Sequence, residues 1–108
     1  MDFAGVWHIV WMELWGKEYF NMMGQAYIRI EDDGCGELRF DLVSARLEGR
    51  VVNHLEVRFE FTFEGYDECD PVHGFGWIRK LDGDTVEGEI VFHDGDKPRF
   101  RAKRIKDF

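Results

Sequence analysis

Two places in the sequence bring together groups capable of chemistry. The first is Glu13, within the run Trp7-His8-Ile9-Val10-Trp11-Met12-Glu13-Leu14-Trp15. If the run is a strand, alternate side chains share a face, and Trp7, Ile9, Trp11, Glu13 and Trp15 point inward together. A lone carboxylate among aromatic rings is desolvated. That favours its neutral form and makes it a proton donor or an anchor for the polar end of a ligand. A bend or bulge would carry it to water instead. The second place holds His73 and His93, which face each other in the register that pairs Arg79 with Glu87, close to Asp67, Glu68, Cys69 and Asp70. Two imidazoles with carboxylates or a thiol suit zinc or another divalent cation. No metal-ligand spacing accompanies them, so the simpler reading is a solvated pair beside an acidic turn, with no cofactor. His8 and His54 read as surface or turn residues. The basic run from Lys97 to Lys106 has the form of an anion site, but Arg101 and Lys103 find opposite charges on the neighbouring strand. There is no Ser/His/Asp or Cys/His arrangement, no phosphate-binding glycine loop and no pair of inward carboxylates, which weighs against an enzyme.

The elements that must position these groups are strands. Residues 55 to 64 alternate without a miss, with Leu55, Val57, Phe59, Phe61 and Phe63 on one face and Glu56, Arg58, Glu60, Thr62 and Glu64 on the other. Turn signals at Asp32-Asp33-Gly34, Val52-Asn53-His54, Asp82-Gly83-Asp84 and Asp94-Gly95-Asp96 cut the chain into eight strands. They fall near 5–15, 24–31, 35–42, 46–52, 55–64, 73–81, 85–93 and 97–105. For the first, Trp recurring every four residues also fits a helix, but its β-branched and aromatic content favours a strand.

Opposite charges facing each other across an antiparallel pair set the register. A turn at Asn53 places Arg46, Glu48 and Arg50 opposite Glu60, Arg58 and Glu56. A turn at Asp33 sets Arg29 against Glu37, and one at Val43-Ser44 sets Glu37, Arg39 and Asp41 against Arg50, Glu48 and Arg46. A turn at Gly83 sets Arg79 against Glu87, and one at Gly95 sets Glu87 and Glu89 against Lys103 and Arg101. The opposite face carries Ile28, Ile30, Leu38, Phe40, Leu47, Val51, Val57, Phe59, Phe61, Ile78, Val86, Ile90, Phe92 and Phe100. One charged face and one apolar face along consecutive hairpins predict a single all-β domain over residues 1–108, an eight-stranded up-and-down antiparallel meander barrel. Its connections alternate between ends. Both long ones, 16–23 and 65–72, share one end, the mouth, and loops on a rigid scaffold often carry function.

Net charge is −8, which argues against nucleic acid or an anionic membrane as partner. No apolar run approaches a membrane span. The start Met1-Asp2-Phe3-Ala4 lacks the pattern of a signal peptide. A cytoplasmic location is expected, with Cys35 and Cys69 at opposite barrel ends and unbridged.

The segments Phe3-Ala4-Gly5-Val6-Trp7 and Phe100-Arg101-Ala102-Lys103-Arg104 resemble the Gly-x-Trp start and late-strand Arg of lipocalins and other calycins. The resemblance implies that Trp7 packs at the closed end, that Arg104 lies across it and that the loop after the first strand covers the mouth. The chain is shorter than a typical lipocalin and lacks its disulfide pattern and C-terminal helix. The chain as a whole also resembles a group of short bacterial proteins, which implies no function. On this footing the leading expectation is a barrel that binds a small apolar or amphipathic molecule at its mouth. Trp11, Trp15, Phe61, Phe63 and Phe92 would line the site. Tyr19, Phe20, Met22, Met23 and Tyr66 would cap it, with Glu13 as the polar anchor. A filled core is the alternative, since eight-stranded barrels are often just wide enough for their own side chains. The chain would then be a protein-interaction module or homodimer using the outer stripe of the first strand, with Val10, Met12 and Leu14. The third reading is a metal-dependent enzyme at His73 and His93.

Overall fold

In the computed structural model, which describes residues 1–53, 55–93 and 95–105, eight antiparallel strands follow one another in chain order and the last closes on the first. They are β1 (Gly5–Met12), β2 (Tyr27–Ile30), β3 (Cys35–Phe40), β4 (Val43–Asn53), β5 (Val57–Asp67), β6 (Asp70–Lys80), β7 (Thr85–Phe92) and β8 (Arg99–Arg104). One turn of helix, α1 (Lys17–Phe20), follows β1 inside what the sequence presents as a loop. This is the all-β up-and-down barrel that the turn spacing predicts. His54 and Asp94, assigned above to turns, and Lys106, the end of the basic run, lie outside the described residues.

Two hairpins pair as their charges dictate: Arg29 faces Glu37 and Arg79 faces Glu87. Three others slide. Arg46 meets Glu64 instead of Glu60, Glu37 meets Arg46 instead of Arg50, and Glu87 meets Arg101 instead of Lys103. Charges on these strands repeat at even spacing, so the slipped pairs are still complementary and the inward faces stay inward. Charge alone therefore cannot choose among these registers.

The slip has consequences for the mouth. β4 begins at Val43 and β5 runs to Asp67, so 43–45 and most of 65–72 are ladder and not loop. Asp41 and Glu68 take left-handed conformations (φ 50° and 59°) in the tight turns that remain. At the opposite end the β4–β5 hairpin overshoots the core. Val51 and Val57 are exposed instead of buried, and Leu55 precedes the strand and is fully exposed.

Trp7, Ile28, Leu38, Phe59, Ile78, Val86, Ile90 and Phe100 are fully buried in the barrel. Phe61 faces Gly49 on one side and Gly76 on the other. A Cβ on Gly76 would stand 2.6 Å from Phe61 Cζ, and one on Gly49 would stand 2.7 Å from Phe61 Cβ. The glycines make room for the ring, and the ring covers the bare backbone. At the closed end Trp7 donates its indole N–H to the Phe3 carbonyl at 2.9 Å. The Arg104 guanidinium lies 4.4 Å from the Trp7 ring and donates to the carbonyls of Ala4 (2.9 Å) and Asp2 (2.7 Å). Its Nε is buried without a hydrogen-bond partner, 3.7 Å from Asp84. This is the Trp–Arg arrangement that the calycin resemblance implies, and it seals that end through cation–π and charge-assisted contacts. Cys35 and Cys69 are both free.

Candidate functional site

The outward face of β1 and the segment that follows it differ from what alternation predicts. Pairing of β1 with β8 shifts register between Ile9 and Trp11. This bulge inserts an extra residue at Val10 and reverses the face of everything after it. Met12 turns inward and is buried, while Trp11 turns outward and is 47 % exposed. Glu13 turns outward too. Its backbone N–H donates to the Arg99 carbonyl (2.8 Å), and its carboxylate accepts the Arg99 N–H (3.1 Å). The inward placements of Trp11 and Glu13, and the outward placement of Met12, are thus corrected. The cause is the cost of burying a carboxylate with no partner among aromatic rings. One inserted residue exchanges that carboxylate for a methionine. The signal was legible, because a Glu on the inward phase of an otherwise apolar strand is a reason to expect a bulge.

Beyond β1, Leu14 is 69 % exposed and adopts φ 75°, an uncommon conformation for a branched side chain. Trp15 folds back and meets Phe40 edge-on at 5.5 Å. Gly16 opens α1, whose Phe20 is 2 % exposed and fills the barrel mouth. The Asp41 N–H fastens that turn by donating to the Phe20 carbonyl at 2.8 Å. The Asn21 side chain accepts the Ala26 N–H at 2.8 Å, which secures the return into β2. Tyr19, Met22 and Met23 are left facing water.

Of the residues expected to line a ligand site, the structure gathers four in or near the mouth. Phe61 and Phe63 are buried, and Trp15 and Phe92 are half-buried. Phe92 meets Phe63 at 5.4 Å and Phe40 at 6.1 Å, both edge-on. Trp15, Phe40, Phe92 and Phe63 thus form a chain of ring contacts, and Phe20 belongs to the same buried cluster. Tyr19 and Tyr66 are exposed at the rim. Phe40 and Met12 belong to this plug as well, and no sequence pattern marked either as part of the mouth. Five depressions on the molecule are lined chiefly by outward or rim side chains. One of about 700 Å³ on the wall of β4–β7 includes Arg58, Glu60, Phe75 and Trp77. In it Trp77 lies under the Arg58 guanidinium at 4.0 Å and donates to Glu89 at 3.3 Å, so its ring is already occupied.

His73 and His93 meet as expected. Their rings stack at 4.3 Å, and the His93 N–H donates to the His73 carbonyl at 2.9 Å. They share a rim depression of about 240 Å³ with Asp67, Val72, Phe92 and Asp96. Among the described residues no group of three His, Cys, Asp or Glu is placed to hold a metal ion. The Cys35 thiol is pushed up by desolvation and then by the carboxylates of Asp33 and Glu48, so it stays protonated and weakly nucleophilic.

The charged wall is a network. Glu56 pairs with Arg58 (2.6 Å) and Arg79 (3.4 Å), and Arg79 continues to Glu87. The hydrogen bond from Arg58 holds the Glu56 carboxyl below its ordinary value. Comparison of the chain with protein-family models, with curated proteins and with solved structures finds no match. Among the described residues no helix is long and apolar enough to cross a membrane.

Proposed function

We propose that this chain is a calycin-like barrel that works as a protein-docking module, with the outer face of β1 and its continuation through α1 as the docking face. The observation that carries the reading is the bulge at Val10. It sends Trp11 outward while the mouth is filled by Trp15, Phe20, Phe40, Phe63 and Phe92. Exposed large apolar residues on a monomer are ordinary when scattered, but a concentration of them marks an interaction surface. Here Val10, Trp11, Leu14, Tyr19, Met22 and Met23 are all exposed within one short stretch. Trp and Tyr supply rigid contact area, and Met adapts to a partner's shape.

Selection of a random peptide library, displayed on phage, against the purified chain tests this reading. Enriched peptides should compete for one site and lose binding to the Trp11→Ser/Leu14→Ser chain. Binders that ignore both substitutions would contradict it.

The Phe20 plug supports a second reading in the ligand-binding class. α1 hangs between Gly16 and Gly24, and Gly24 sits at φ 107°. A small apolar molecule could take the place of Phe20 if the turn swung out. Titration of the wild-type chain with indole should then perturb Phe40, Phe63 and Phe92 in NMR spectra. No change there would end this reading and leave the first untouched.

A further inference from the structure

We propose that the segment docking on β1 is acidic as well as apolar, with its carboxylates meeting Arg99, Arg101 and Lys103. The proposal rests on the docking reading above and names the partner's chemistry. β8 lies beside β1, and the outward side chains of β8 are these three cations. On their far side they face Thr85, Glu87 and Glu89 of β7. Those two carboxylates are already engaged, Glu87 by Arg79 and Glu89 by Trp77. On the near side β1 presents His8, Val10 and Trp11 to Lys103 and Arg101, while the Glu13 carboxylate lies beside Arg99, held by its backbone N–H.

The cations are only loosely engaged: Arg99 lies 5.8 Å over the Trp77 ring, and the charge of Lys103, after the Asp84 backbone N–H, helps to hold the Asp82 carboxyl low. Arg101 is 3.9 Å from Glu87 and its side chain is 58 % exposed. Among the described residues neither Arg99 nor Lys103 has a carboxylate within ion-pair distance. In a chain of net charge −8 this strip is a local reversal of sign, and it borders the exposed indole. Guanidinium groups with unfilled donors match carboxylates in geometry as well as charge.

Other occupants fit less well. A flat anionic membrane broad enough to meet α1 would also meet the acidic turn at Asp67, Glu68 and Asp70, which stands at the same end of the barrel. A second copy carries the same net charge of −8 and would be repelled at long range. A narrow segment lying along β1 and β8 avoids both penalties.

The experiment uses the full chain and three probes. Two are synthetic peptides with identical Leu, Val and Phe positions, one carrying Glu and the other Lys elsewhere. The third is a phosphatidylserine vesicle. The indole N–H signal of Trp11 reports binding, with that of Trp7, fully buried at the closed end, as internal control. The Glu peptide should shift Trp11, and added salt should weaken it. The Arg99→Gln/Arg101→Gln chain should bind it about tenfold less tightly, a few-fold for each exposed ion pair. Equal shifts by the Glu and Lys peptides would overturn the acidic partner while leaving docking on β1 intact. No shift of Trp11 by either peptide would overturn both. A shift by vesicles alone would replace the peptide by a membrane. A shift that grows with protein concentration alone would replace it by a second copy.

Discussion

β4 and β5 are each eleven residues long and pair along their whole length, whereas β2 has four residues and meets β1 only from Gly5 to His8. The long wall carries its apolar side chains inside and a network of ion pairs outside. β1, one side of this short seam, bulges against β8, is followed by a four-residue helix, and carries Trp11 on its outer surface with Leu14 exposed just beyond it. A complete ladder with phenylalanines seated over glycines is what gives a small barrel its stability. A strand that breaks its own alternation to expose an indole buries less apolar surface than the wall, which suits the docking role proposed for it. The division of labour can be broken or sharpened by substitutions on each side.

The largest effect should come from the wall. Phe59→Ala removes a fully buried ring and should cost about 3–5 kcal/mol in urea denaturation. A loss under about 1 kcal/mol would mean that the wall is not the stability core.

Phe20→Ala, at the seam, should cost about 3 kcal/mol, the low end for a buried ring. Its effect should be local as well. Native-state amide exchange should quicken over 16–26 more than over β5, since α1 is held by few bonds. Uniform quickening would join the seam to the wall as one cooperative unit.

Gly76→Ala should cost about 1–3 kcal/mol, because the added methyl meets Phe61 and the Glu89 carbonyl, each 2.6 Å from its position. An unchanged midpoint would show that the barrel has slack.

The acid limb tests the charged network. Glu56 is held low by the Arg58 hydrogen bond, and Asp82 by the Asp84 backbone N–H. A carboxyl depressed in the folded state stabilises fully above its unfolded value, near about 4. That contribution is lost as pH falls through the lower folded value. Glu56→Gln should therefore flatten the fall of the urea midpoint below about pH 4 and leave the neutral limb nearly parallel. Identical acid limbs in the two chains would remove Glu56 from the account. Glu56 is half-buried and Asp82 exposed, so solvent screens both and the change should be small.

Much of this contrast was legible in the residues. The alternation from Val57 to Phe63 and the turn signals imply eight strands with one apolar face, and Trp7 with Arg104 marks the sealed end. The registers of β3–β4, β4–β5 and β7–β8 were not legible, because evenly spaced charges satisfy several alignments. The long loop expected at 65–72 vanished for the same reason. α1 escaped notice because four residues of helix have no periodicity to read. At β1 the alternation itself misled, and Glu13 on an inward phase was the clue that it could not continue.

The most direct test places both properties on one sample, the Trp11→Ser/Leu14→Ser chain, measured for urea midpoint and for binding of the library-selected peptides. The account predicts a midpoint within about 0.5 kcal/mol of wild type, as for ordinary surface substitutions, together with loss of binding. A fall in stability comparable to that of Phe59→Ala, or binding that survives intact, would contradict it.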